Sequence, residues 1–107
     1  MTQLRAVIFI SLVSSRCIRV RMRAGLTETD GHSWSLGSCF SDASYRAGQE
    51  HITECCLPYG NYTLKCKDSG GGGWRGGAIY IDGNGNSYCS GFVNGTIMAE
   101  EISITGK

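Results

Sequence analysis

Residues 18–23 read IRVRMR, an unbroken alternation of apolar and basic positions. In an extended chain successive side chains point to opposite faces. Ile18, Val20 and Met22 therefore share one face, and Arg19, Arg21 and Arg23 share the other. The same period of two recurs between turn signals along the chain. Trp34 and Leu36 alternate with serines in residues 33–36, and residues 51–57 form a third expected strand. Residues 62–67 (YTLKCK) place Tyr62, Leu64 and Cys66 inward and Thr63, Lys65 and Lys67 outward. Residues 78–81 (AIYI) make another strand, and Asp82-Gly83-Asn84-Gly85-Asn86 reads as a hairpin-type turn into a strand over 87–93. Residues 102–105 close the domain with Ile102 and Ile104 inward, while 27–32 and 37–48 are expected loops. No segment carries the period of an amphipathic helix. Seven short strands between turns predict an all-β, antiparallel β-sandwich of jelly-roll-like type.

The start of the chain has a different pattern. Met1 and Arg5 precede an apolar run, residues 6–13 (AVIFISLV), and Val13-Ser14-Ser15 supplies small residues after it. That order predicts a secretory signal peptide over 1–15 and one domain over 16–107. The run is too short for a membrane-spanning helix, which needs roughly 20 apolar residues; a buried first strand is its alternative reading. Without residues 1–15 the ten Lys and Arg become nine, against nine Asp and Glu. A neutral domain has no global attraction for nucleic acid or membrane, so charge can act only where it is locally segregated.

All six cysteines (Cys17, Cys39, Cys55, Cys56, Cys66, Cys89) follow the expected leader. An even count in a short secreted chain implies a disulfide framework. The cross-links answer a need, because sixteen glycines raise the entropy cost of ordering so small a domain. Cys55 and Cys56 are adjacent and point to opposite faces of a strand, so they cannot share a partner environment. Cys66 faces inward beside Leu64, and Cys89 lies one hairpin beyond Ile79, which favours Cys66–Cys89. Cys39 is then expected to join one member of the doublet and Cys17 the other. The cysteine spacing and the positions of His32 and His51 do not form a zinc site, and no metal or cofactor is expected. Asn61-Tyr62-Thr63 and Asn94-Gly95-Thr96 are glycosylation sequons at Asn61 and Asn94.

The stretch 56–77, CLPYGNYTLKCKDSGGGGWRGG, is the most specific part of the chain. It resembles a family of small extracellular β-domains with the signature Leu-Pro-x-Gly-x-Tyr-x-Leu followed by Asp-Ser-x-Gly-Asp-Gly-Trp. Leu57, Pro58, Gly60, Tyr62, Leu64, Asp68, Ser69, Gly71, Gly73 and Trp74 fall on that pattern. The upstream SWSLG with Cys39, the Cys55-Cys56 doublet and Tyr88-Cys89 resemble members with more cysteines, so the likeness spans roughly residues 18–104. Such domains stand alone, repeat, or accompany secreted proteases, and the resemblance implies a binding or accessory module without catalysis. Gly70 and Gly72 replace the family's Tyr and second Asp, removing a carboxylate from the loop.

Four candidate sites emerge. Asp68 heads the glycine loop as a cap for its N–H groups or as a calcium ligand; calcium takes six to eight oxygens, which favours the cap. Asp82-Gly83-Asn84-Gly85-Asn86-Ser87 begins like a calcium loop, but Val93 stands where its glutamate belongs. Trp74, among glycines, is a candidate stacking platform for a sugar or, in the alternative that the resemblance favours, a plug at the sandwich end. Arg19, Arg21 and Arg23 make a basic ridge, extended by Lys65 and Lys67 if both strands share a sheet. Such a ridge would engage sulfated glycans, phosphates or an anionic surface, or simply cover a solvated face. The expected function is a secreted non-enzymatic binding, adhesion or accessory module whose partner is a glycan or extracellular surface component. The alternative is a small secreted defence effector, antimicrobial or lectin-like. A small hydrolase such as a ribonuclease is a remote third reading, since no partner is spaced to orient His32 or His51.

Overall fold

The computed structural model describes residues 14–25, 31–41, 45–83 and 85–106. Among the described residues eight strands are formed: β1 (Ser15–Arg23), β2 (His32–Leu36), β3 (Cys39–Phe40), β4 (Glu50–Pro58), β5 (Gly60–Asp68), β6 (Ala78–Ile81), β7 (Ser87–Tyr88) and β8 (Ile97–Ile104). They build two four-stranded sheets, ordered β4-β1-β6-β7 and β3-β2-β5-β8. Every pairing between strands is antiparallel. The all-β sandwich expected from alternation is the fold observed, and among the described residues there is no helix.

Alternation dictates the core. Ile18, Val20 and Met22 from β1 face Trp34 and Leu36 from β2, Leu64 and Cys66 from β5, and Ile102 and Ile104 from β8, all buried in one cluster. The chain changes sheet at nearly every long connection. β4 passes directly to β5 around Tyr59, and the glycine loop returns β5 to β6.

Three elements differ from expectation. Cys39–Phe40 pairs with Ser35 and Leu36 as a short edge strand inside the expected 37–48 loop. The strand expected over 87–93 ends at Tyr88, because Cys89 takes a positive φ of 61° and Phe92 N–H donates to the Cys89 carbonyl (3.1 Å). That turn sends Phe92 into the core instead of along a ladder. The last strand starts earlier than expected, at Ile97, and pairs with β5 along its whole length. Residues 1–13 of the expected leader lie outside the described residues; Ser15 is already the first residue of β1 and pairs with Pro58.

Three disulfides tie the layers. Cys39–Cys55 (Cα–Cα 5.9 Å) joins β3 to β4 across the two sheets, and Cys66–Cys89 (Cα–Cα 6.5 Å) joins β5 to the turn that follows β7 in the opposite sheet. Cys17–Cys56 (Cα–Cα 3.8 Å) links β1 to β4 within a single sheet. Opposite parity separates the doublet as alternation requires: Cys55 is buried and Cys56 is exposed.

Candidate functional site

The glycine loop is built around two buried side chains. Asp68 ends β5 with only 4% of its surface exposed. Its Oδ1 accepts the Gly70 N–H (3.0 Å) and its Oδ2 the Gly72 N–H (2.8 Å). This is the cap reading, and it uses both oxygens. Trp74 is fully buried; its Nε1 donates to the Lys67 carbonyl (2.9 Å). Its ring stacks on His32 (5.9 Å) and meets Phe92 at a tilt (6.0 Å). Gly73 makes this packing feasible. It has φ +73°, and a Cβ there would lie 2.5 Å from the Asn94 backbone nitrogen.

At this end the geometry is that of the cap and the plug, the alternatives favoured from sequence, and not of the ligand-binding readings of Asp68 and Trp74. Trp74 offers no open face for a sugar to stack on, because the 89–96 turn and His32 enclose it. Asp68 is not available to a ligand, because the loop's own N–H groups hold its carboxylate. Among the described residues no group of three His, Cys, Asp or Glu is placed to hold a metal ion.

The arginine side of β1 is different. Arg19, Arg21 and Arg23 are exposed on the outer face of the β4-β1-β6-β7 sheet. Registration sets Arg19 opposite Glu54, Arg21 between Ile52 and Tyr80, and Arg23 between Glu50 and Ala78. Arg19 Nε lies 3.4 Å from Asp82 Oδ2, and Arg21 Nη1 donates to Glu50 Oε2 at 3.0 Å. The Arg21 guanidinium also sits 4.7 Å from the centre of the Tyr80 ring, a cation–π contact. The ridge is thus interleaved with acids. Lys65 and Lys67 do not extend it, because β5 belongs to the other sheet.

Beside this ridge an open groove of 320 Å³ is lined by Arg19, Arg21, Ile52, Tyr80, Asp82, Gly83 and Asn86. Tyr80 and Ile52 supply its apolar surface, the arginines supply N–H donors, and Asp82 supplies acceptors. Tyr80 and Ile52 were not singled out from sequence. Tyr80 has the opposite parity to the buried Ile79 and Ile81, a signal that marks it as outward. Its place beside Arg21 depends on the β1–β6 register, which no local pattern contains.

Asn61 and Asn94 are both exposed, and the Asn61 side-chain oxygen accepts a hydrogen bond from Ser103 Oγ (2.7 Å). Compared with family models, curated proteins and solved structures, the chain matches none of them.

Proposed function

We propose that this protein is a secreted, non-enzymatic binding module that recognises a saccharide through the groove on the outer face of the β4-β1-β6-β7 sheet. The observation that carries the reading is the juxtaposition of Arg21 and Tyr80 in an open groove with Arg19 and Asp82 alongside. A sugar presents apolar C–H faces and hydroxyls that both donate and accept. A tyrosine ring, an isoleucine, guanidinium donors and a carboxylate acceptor complement those features. Because Arg19 and Arg21 each have a carboxylate partner, the face is locally balanced in charge. That balance favours a hydroxyl-rich ligand over an extended polyanion.

The absence of catalysis is also part of the proposal. His32, on β2, is buried against Trp74 and lies 3.9 Å from Asp68, and His51, on β4, packs against Tyr45. The two sit in different sheets and neither lines the groove. Three cross-links in a small domain are compatible with an extracellular setting. The resemblance of residues 56–77 to extracellular accessory domains supports the same location, and Asn61 and Asn94 are the proposed glycan acceptors on its own surface.

The test is a glycan array probed with the oxidised domain and with Tyr80→Ala and Arg21→Ala variants. Retained binding of a defined glycan by the parent, lost in both variants, supports the reading. Binding unaffected by either variant, or no glycan bound at all, overturns it.

A further inference from the structure

We infer that the Cys17–Cys56 bridge is a reversible thiol-exchange site, opened by a small dithiol while the other two bridges stay closed. The first argument is access. Both Cys17 and Cys56 are exposed on the outer face of the sheet, whereas Cys55, Cys66 and Cys89 are fully buried and Cys39 is half-buried. Thiol–disulfide exchange requires an attacking thiolate to reach a bridge sulfur, so exposure ranks the three bridges.

The second argument is redundancy. β1 and β4 are registered over nine residue pairs, from Ser15↔Pro58 to Arg23↔Glu50. β4 is separately anchored to the opposite sheet by Cys55, the neighbour of Cys56. Opening Cys17–Cys56 removes a cross-link between strands that remain paired. Opening either of the others would remove one of the two cross-links between the layers, where no strand ladder runs beside it. The exposed bridge is therefore the one the fold can lose.

The third argument concerns the product. Cys17 and Cys56 are direct partners in the ladder, with Cα atoms 3.8 Å apart, so the freed thiols stay face to face. Their reoxidation is intramolecular and pre-oriented. The steps balance. One thiolate of the reagent attacks a bridge sulfur, the Cys17–Cys56 bond breaks, and a mixed disulfide forms as the other cysteine leaves as a thiolate. The reagent's second thiol then attacks the mixed disulfide and closes the reagent into its own disulfide. Two electrons pass to the bridge, and the two cysteine thiolates take up the protons that the reagent's thiols release. Cys17 lies two residues from Arg19 on the same face, about 7 Å along the strand, so exchange occurs next to the groove.

The experiment treats the oxidised full chain with graded dithiothreitol, traps free thiols with iodoacetamide and maps the labelled peptides by mass. Cys17 and Cys56 are expected to label together, at least about tenfold faster than the other four cysteines. Near-ultraviolet circular dichroism is expected to stay native at that stage. First opening of Cys66–Cys89 or Cys39–Cys55, labelling of all six in one step, or loss of the native spectrum when Cys17–Cys56 opens would overturn the inference. A Cys17→Ser/Cys56→Ser variant is expected to fold and to show only slow labelling. Its failure to fold would assign the bridge a structural role and equally refute the inference. These readouts are thiols and fold, so they are independent of whether a glycan binds.

Discussion

Replacing Asp68 with alanine tests whether one carboxylate organises the glycine loop. The side chain is buried and accepts the N–H groups of Gly70 and Gly72 at 3.0 and 2.8 Å. Gly70 is exposed, so water recovers most of its lost bond, and that contact is worth less than about 1 kcal/mol. Gly72 is half-buried and bonded to a charged acceptor, so its loss costs about 2 kcal/mol. The expected sum is about 2–3 kcal/mol, and Asp68→Asn, which keeps one acceptor oxygen, should lose roughly half of it. The assay is urea unfolding with the disulfides intact, with the change taken from the midpoint at constant slope. Asp82→Asn is the control, because the Arg19–Asp82 pair is exposed and such pairs contribute within about 1 kcal/mol. An Asp68→Ala loss below about 0.5 kcal/mol, or one no larger than the control's, would refute the cap argument.

Other outcomes follow from the same geometry. Gly73→Ala should destabilise by about 2 kcal/mol or more in thermal unfolding, since positive φ and the Asn94 backbone both oppose a Cβ. Removing the Cys66–Cys89 bridge by a double Cys→Ala change should cost about 3 kcal/mol, because it closes a separation of 23 residues across the sheets. Trp74→Ala should lose about 3–5 kcal/mol of stability, which denaturant unfolding would read. Lys65→Ala/Lys67→Ala should leave groove binding unchanged on a glycan surface, because β5 lies in the other sheet.

Local alternation made much of the fold legible. It placed Ile18, Val20 and Met22 in the core and separated Cys55 from Cys56, and it gave Cys66 an inward orientation toward the turn that carries Cys89. The short Cys39–Phe40 strand was hidden, because two residues carry too little period to distinguish a strand from a loop. The end of β7 at Tyr88 was also hidden, since a positive φ at a cysteine has no composition signal. The groove was less visible still. Sheet membership is a non-local property: IRVRMR and YTLKCK look like neighbours by pattern, yet β1 pairs with β4 and β6 while β5 pairs with β2 and β8. That assignment removes the lysines from the arginine ridge and brings Tyr80 and Ile52 to it.

Amide chemical-shift mapping of the isotope-labelled, oxidised domain titrated with pooled oligosaccharides addresses recognition most directly. Saturable shifts clustered on Arg19, Arg21, Ile52, Tyr80 and Asp82 are the expected result. Shifts confined to the β3-β2-β5-β8 sheet or to the glycine loop, or a spectrum unmoved by every pool, would contradict it.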